Sequence, residues 1–172
     1  MGTRNLTAVF IDGEYKIAQY GQWDGYPEGN GVSVLDFVRK IQNDKQKMEL
    51  FKKKVRDVKW ITQKDIDDIN EKIKNGKIKN WEDEYPELSR DTGADILDLV
   101  FDRPNGIKLR NDLDFAFDHI FCEFIWAIDL DNGVFGLYVG DDESHKLRPV
   151  KTWIIGFAPP KEEFLSAFEE ED

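Results

Sequence analysis

The chain has 172 residues, a formal charge of −11, 40% hydrophobic and 13% aromatic residues, enough apolar mass for one core that buries roughly 70% of the surface its unfolded form exposes. The acid excess argues against a DNA or RNA partner, which needs a positive face, and no apolar run approaches the ~20 residues of a membrane span. A lone cysteine, Cys122, excludes an internal disulfide and a cysteine-based zinc cluster, and with no charged-then-apolar leader the expectation is a cytoplasmic protein.

Asn5–Asp12 and Tyr15–Tyr20 alternate and are rich in β-formers, and Asp12-Gly13 between them predicts an opening β-hairpin. Gly21–Gly31 follows with four glycines, a proline and two large aromatics, Trp23 and Tyr26, which predicts an irregular loop. Ser33 is placed to cap a helix whose apolar positions are Val34, Leu35, Val38 and Ile41. Met48, Phe51, Val55 and Val58 share the face of a second. Thr62 and Asp65 have the spacing of a capping box before Ile66, Ile69 and Ile73, and Gly76 fits the residue after that helix.

Asn75–Glu87 reads as a polar connection holding Trp81 and Tyr85-Pro86. Thr92 and Asp95 predict the N-terminal cap of a helix burying Ile96, Leu97, Val100 and Phe101, ended by Pro104-Asn105-Gly106. Strands are expected at Ile107–Arg110, at Phe121–Leu130 and Val134–Val139 around the turn Asp131-Asn132-Gly133, and at Val150–Phe157. Pro160 opens a last helix with Phe164, Leu165 and Phe168 inward, ahead of the acidic tail Glu169–Asp172. The fold expected is α+β: one domain over 1–172, its mainly antiparallel sheet built from N-terminal and C-terminal hairpins, with a central helical block inserted at about 33–76 and a C-terminal helix.

Three places could carry chemistry. In the loop, Trp23 and Tyr26 either fold back over the core or offer flat faces on which a base stacks, an interaction of ~1–3 kcal/mol per base. Gly21, Gly25, Gly29 and Gly31 permit close backbone approach, and their N–H groups together suit an anion. Gln19, Gln22 and Asp24 can read the polar edges of a ring or ribose. The loop lacks the ending of a P-loop and the spacing of a dinucleotide fingerprint. In Ser89–Ala94, Arg90 stands just ahead of a predicted helix N-terminus, where phosphate is favoured, beside Asp91 and Thr92. Arg4, early in the first strand, faces either solvent or a pocket.

Other groups are thinner candidates. His119 reads as a semi-buried histidine among Phe115, Phe117, Ile120 and Phe121, and His145 as part of an exposed loop. Cys122 reads as a small buried hydrophobe. Asp129 and Asp131 flank a hairpin turn and could bind a metal, but turn chemistry explains them as well and a calcium-loop spacing is absent. No metal and no cofactor are predicted. Arg39–Lys64 carries ten basic residues against three acidic ones, which reads as solvated helix faces or as a docking surface for an acidic partner or a second copy.

At Met1-Gly2-Thr3-Arg4-Asn5-Leu6, Gln19-Tyr20-Gly21-Gln22-Trp23-Asp24-Gly25-Tyr26-Pro27, Ser89-Arg90-Asp91-Thr92-Gly93-Ala94, Phe121-Cys122-Glu123 and Asp129-Leu130-Asp131, the sequence resembles a family of small uncharacterised proteins of bacteriophages, bacteria and fungi. The match covers both ends and the 88–131 region and is weak over Asp44–Glu87. Its polar motif residues fall in the three places above, which favours one shared pocket. Phage membership would imply counter-defence, by analogy with small phage proteins that trap or destroy the nucleotide signals of bacterial immunity.

The leading expectation is a binding module that sequesters a small phosphorylated ligand, a cyclic nucleotide or an ADP-ribose derivative, in the host cytoplasm if phage-encoded. Its site would be Arg4, Gln19, Gln22, Trp23, Asp24, Tyr26, Arg90, Asp91 and Thr92. Sequestration needs no turnover, which suits a chain so poor in general bases. One rival is a hydrolase or phosphodiesterase on the same ligand, with Asp24 or Asp91 activating water, alone or with His119 or a metal. Another is a protein-interaction module on the basic 39–64 surface, and self-association stays open.

Overall fold

The structure, a computed structural model, describes residues 2–169; Met1 and the end of the acidic tail lie outside the described residues. In chain order the elements are β1 (Asn5–Ile11), β2 (Glu14–Gly21), α1 (Val32–Ile41), α2 (Lys45–Arg56), β3 (Lys59–Trp60), α3 (Gln63–Lys74), α4 (Trp81–Glu84), α5 (Ile96–Asp102), β4 (Lys108–Leu109), β5 (Phe124–Asp129), β6 (Val134–Asp141), β7 (Lys146–Ile154) and α6 (Lys161–Ser166). Asp12 and Gly13 both take positive φ, 54° and 81°, the mirror-image turn whose twist matches its two strands.

Five strands form one sheet in the order β2-β1-β5-β6-β7. β1 and β5 run parallel, and the other neighbours are antiparallel. The α+β class, the mainly antiparallel sheet and the C-terminal helix are as the sequence predicts. The parallel pairing brings the two hairpin turns to the same end of the sheet. There Asp131 accepts hydrogen bonds from the Asp12 and Gly13 amides, both at 2.8 Å, so this acid ties one turn to the other.

The two faces of the sheet differ. One carries Val9, Ile11, Ile17, Trp126, Ile128 and Phe135 under the helices that present Leu35, Val38, Phe51, Val55, Leu97 and Phe164. Each such aliphatic or aromatic side chain contributes roughly 1.5–3 kcal/mol by leaving water. The other face is built from smaller residues, Leu6, Ala8, Ala18, Ile125 and Ala127, with Tyr138 and Leu147. Its cover is a 3₁₀ segment, Leu113–Phe117, which contributes Ala116.

Several local expectations are corrected. Pro27–Gly31 is not irregular: it forms a π-helical turn that runs straight into α1. Ser33 therefore caps nothing, and its hydroxyl donates to the Gly29 carbonyl at 3.3 Å. Thr92 makes no cap either. A 3₁₀ turn, Gly93–Asp95, precedes α5, and the Thr92 hydroxyl donates to the Pro86 carbonyl. The last strand of the sheet starts at Lys146 and ends at Ile154, earlier than its apolar run. The Thr62–Asp65 capping box is complete, and Gly76 takes φ +71° just beyond α3.

Candidate functional site

The Gly21–Gly31 loop is held by two asparagines. Asn5, fully buried in β1, donates its amide to the carbonyls of Thr3, Gly21 and Trp23 at 3.1, 3.3 and 3.1 Å. Asn30 donates to the Trp23 and Asp24 carbonyls at 2.8 and 2.9 Å and accepts from the Ala94 amide at 2.7 Å. Asparagine suits these positions because one short side chain brings donors to backbone carbonyls, and at Asn30 an acceptor as well; among the described residues the Asn5 Oδ1 has no partner. The Trp126 indole, buried in the main core, adds a bond to the Gly25 carbonyl at 2.7 Å. Trp126 also lies where any Cβ on Gly31 would fall, 2.8 Å from its ring, which explains glycine there.

This framework uses up the groups expected to cradle an anion. The Gly25 amide donates to the Thr3 carbonyl, and the Gly29 and Gly31 amides donate to the Tyr26 carbonyl, while Gly21 sits opposite Asn5 in the β1–β2 pairing. The side chains are committed as well. The Trp23 indole donates to Asp91 at 2.7 Å, the Tyr26 hydroxyl to Asp24 at 2.9 Å and the Tyr20 hydroxyl to Gln22 at 2.5 Å. Asp24 holds the Tyr26 phenol above its usual pKa, because the proton bridges to a carboxylate. Trp23 and Tyr26 are 47% and 40% exposed, so they form a surface patch rather than a lid on the core.

Ser89–Ala94 packs against this loop. The Gln22 amide donates to the Arg90 carbonyl at 2.9 Å, and Trp23 reaches Asp91. The helix start expected to attract phosphate is occupied: Asn30 takes the Ala94 amide and the Thr92 carbonyl takes the Asp95 amide.

Beside this junction, along the free edge of β2, lies a cleft of about 250 Å³ lined by Gln19, Tyr20, Trp81, Ser89, Arg90, Arg110 and Asp112, with Glu82 and Leu88. The edge of β2 is capped on one side of it, where Asp112 donates its amide to the Ala18 carbonyl and accepts from the Tyr20 amide. On the other side Arg90 caps Gln22. Among the described residues neither Arg90 nor Arg110 has a carboxylate within 4.0 Å. Gln19 is 2% exposed. Its amide nitrogen donates to the Glu87 and Ser89 carbonyls at 3.2 and 3.4 Å, which fixes the side chain's orientation, and its Oε1 has no partner. A buried acceptor left unpaired costs about 1–3 kcal/mol. Burial pushes the Asp112 carboxyl above its usual range, partly offset by the Tyr20 amide and by the Arg110 charge.

The nine expected site residues thus do not share one cavity. Gln19 and Arg90 line the cleft. Gln22, Trp23, Asp24, Tyr26, Asp91 and Thr92 surround its outer neighbour, the loop junction. Arg4 stands apart: its guanidinium lies over the Phe121 ring at 5.0 Å, and its backbone pairs with Glu123. Sequence reasoning missed Arg110 and Asp112, which a short strand hid, and Trp81, whose signal was a large aromatic inside a polar connection. It also missed Asn5 and Asn30, the two residues that build the loop.

Compared with protein-family models, with curated proteins and with solved structures, the chain matches none.

The remaining candidates have structural partners. His119 is exposed rather than semi-buried, and its Nε2 meets Asp142 at 2.8 Å. His145 takes φ +56° in a turn and stacks on Phe117 at 4.1 Å. Burial, with Asp118 and Glu123 nearby, pushes the Cys122 thiol up to about 12, so it is no nucleophile at neutral pH. Asp129 accepts from the Asn132 amide and side chain, the turn chemistry expected of it. In the basic segment Arg56 pairs with Asp12 and Lys40 with Asp98. Among the described residues no helix is long and apolar enough to cross a membrane.

Proposed function

We propose that the chain binds a small phosphorylated ring compound of the nucleotide type in the cleft beside β2. The observation that carries this reading is that Arg90, Arg110 and Trp81 line one hollow next to the unpartnered Oε1 of Gln19. Two guanidinium groups with no carboxylate within 4.0 Å among the described residues suit a phosphate, which arginine grips through its planar fork. The Trp81 ring offers a stacking face. Gln19 Oε1 is buried, so a small turn of that side chain toward the cleft would let it accept a hydrogen bond from an exocyclic amino group, and an analogue lacking that group would leave it unpaired. A cleft of about 250 Å³ favours a cyclic mononucleotide over a larger ADP-ribose derivative. The biological extension, sequestration of a nucleotide signal as phage counter-defence, rests on the sequence resemblance.

Hydrolysis of the same ligand is the second reading. Its acid–base group would be Asp112, half-buried in the cleft with a raised pKa, rather than Asp24 or Asp91, which face ring donors. Calorimetric titration with cyclic AMP, AMP, cyclic IMP and ADP-ribose tests both. Binding should favour the amino-bearing bases and fall at least about tenfold in the Arg90→Ala/Arg110→Ala double variant. Heating the complex should release intact ligand; an altered product would favour hydrolysis. Unchanged affinity in the double variant would remove the site.

A further inference from the structure

A larger hollow than the β2 cleft lies elsewhere among the described residues, on the thinly covered face of the sheet. Ala127, a small residue of β5, lies on the floor of a trough of about 670 Å³ between the hairpin-turn end of the sheet and the Leu113 segment. Phe10 and Tyr15 wall one side, their ring centroids 4.9 Å apart. Tyr138 and Leu147 wall the other, and Thr152 lies exposed at its margin. The volume is that of a typical small-molecule site.

One half-buried charge sits among these rings, while Glu14, His145 and Lys146 line the exposed margin. Asp129, the β5 partner of Phe10 in the β1–β5 register, is half-buried and lines the trough. Its two oxygens accept from the Asn132 backbone and side-chain amides at 3.0 and 2.8 Å. Those neutral donors orient the carboxylate and leave its charge uncompensated: among the described residues no Lys, Arg or His nitrogen lies within 4.0 Å of it. A partly desolvated carboxylate favours a cationic partner. Aromatic faces beside it attract the same charge through their quadrupoles. At the margin Glu14 offsets the charge of Lys146, which leaves Asp129 as the charge on the floor. Burial, with the Asp129 charge, raises the pKa of both tyrosines, Tyr138 to about 12, so both stay protonated and neutral beside the carboxylate.

We propose that this trough is a second binding site, for an organic cation. The ligand is an ammonium carried on a flat or alkyl body, seated on Phe10, Tyr15 and Tyr138 with its charge facing Asp129. Anions are disfavoured by the same carboxylate, and a neutral ring gains only the apolar contact.

Three probes of matched shape test this on the full chain: phenethylammonium, neutral 2-phenylethanol and anionic phenylacetate, followed by calorimetry and by the ring resonances of Tyr15 and Tyr138. The ammonium should saturate the protein, shift both rings, and bind at least about tenfold more tightly than the alcohol. Asp129→Asn should bring the ammonium down to the alcohol's affinity. Thr152→Trp, a substitution at an exposed position, should block both without touching the core. Arg90→Ala should change neither, which separates this site from the β2 cleft. Equal affinity for ammonium and alcohol, absence of saturable ammonium binding, or unimpaired binding in Thr152→Trp would overturn the proposal. Should Asp129→Asn fail to fold, the ammonium-to-alcohol ratio and Thr152→Trp decide alone.

Discussion

Two neighbouring regions use the same kinds of residue to opposite ends. In the Gly21–Gly31 loop most polar groups face another, the Asn5 Oδ1 excepted: Asn5 and Asn30 hold the backbone, Asp24 and Asp91 hold the rings, and the glycine amides close on carbonyls. In the β2 cleft, a few residues away, two guanidinium groups and the Gln19 oxygen have no such partner. The difference teaches that a motif rich in glycine, aromatics and acids can be a structural clasp, while the unpaired groups stand beside it. Satisfied polar groups rigidify a fold; unsatisfied ones in a hollow are where a ligand gains most.

The comparison predicts a ranking of effects. Asn5→Ala should be the most damaging change, because it leaves a cavity at a fully buried position and removes three bonds to the Thr3, Gly21 and Trp23 carbonyls; a loss of about 3 kcal/mol is expected in urea unfolding. Asn30→Ala, half-buried, should cost about 2 kcal/mol by the same measurement and loosen the junction with Ala94. Asp91→Ala removes one bond from an exposed indole and should cost about 1 kcal/mol, with a visible change in Trp23 fluorescence. By contrast, Arg90→Ala and Arg110→Ala should each leave stability within about 0.5 kcal/mol while weakening nucleotide binding. If those arginine variants unfold the protein, or Asn5→Ala does not destabilise it, the division between clasp and cleft is wrong.

The weakest lever lies outside both regions and serves as a control. Lys108 and then Thr62 hold the Asp65 carboxyl down to about 2, from an ordinary 3.8. A depressed carboxylate contributes stability that is complete above its unfolded pKa and is lost as pH falls through the folded value. An acid titration followed by circular dichroism should therefore separate wild type from Asp65→Asn above about pH 4 and bring them together as pH falls towards 2, with no change at the loop or the cleft.

Much of the fold was legible from local chemistry. Asp12-Gly13 and Asp131-Asn132-Gly133 marked their turns because few residues accept positive φ. The Thr62–Asp65 box marked a helix start through a side chain that reaches only three residues. Ser33 and Thr92 misled because each carries the chemistry of a cap, while a π turn and the Pro86 carbonyl claimed them instead.

The sequence by itself determined the α+β class, the hairpins and the apolar helix faces, since all of these depend on residues close in the chain. Only the tertiary structure decided which polar groups were already engaged. The parallel pairing of β1 with β5 and the packing of residues 86–94 on the β2 edge bring together groups separated by up to about a hundred positions. Hydrogen bonding saturates, so a donor that finds a partner across that distance is lost to any ligand, and no local pattern records that it has done so.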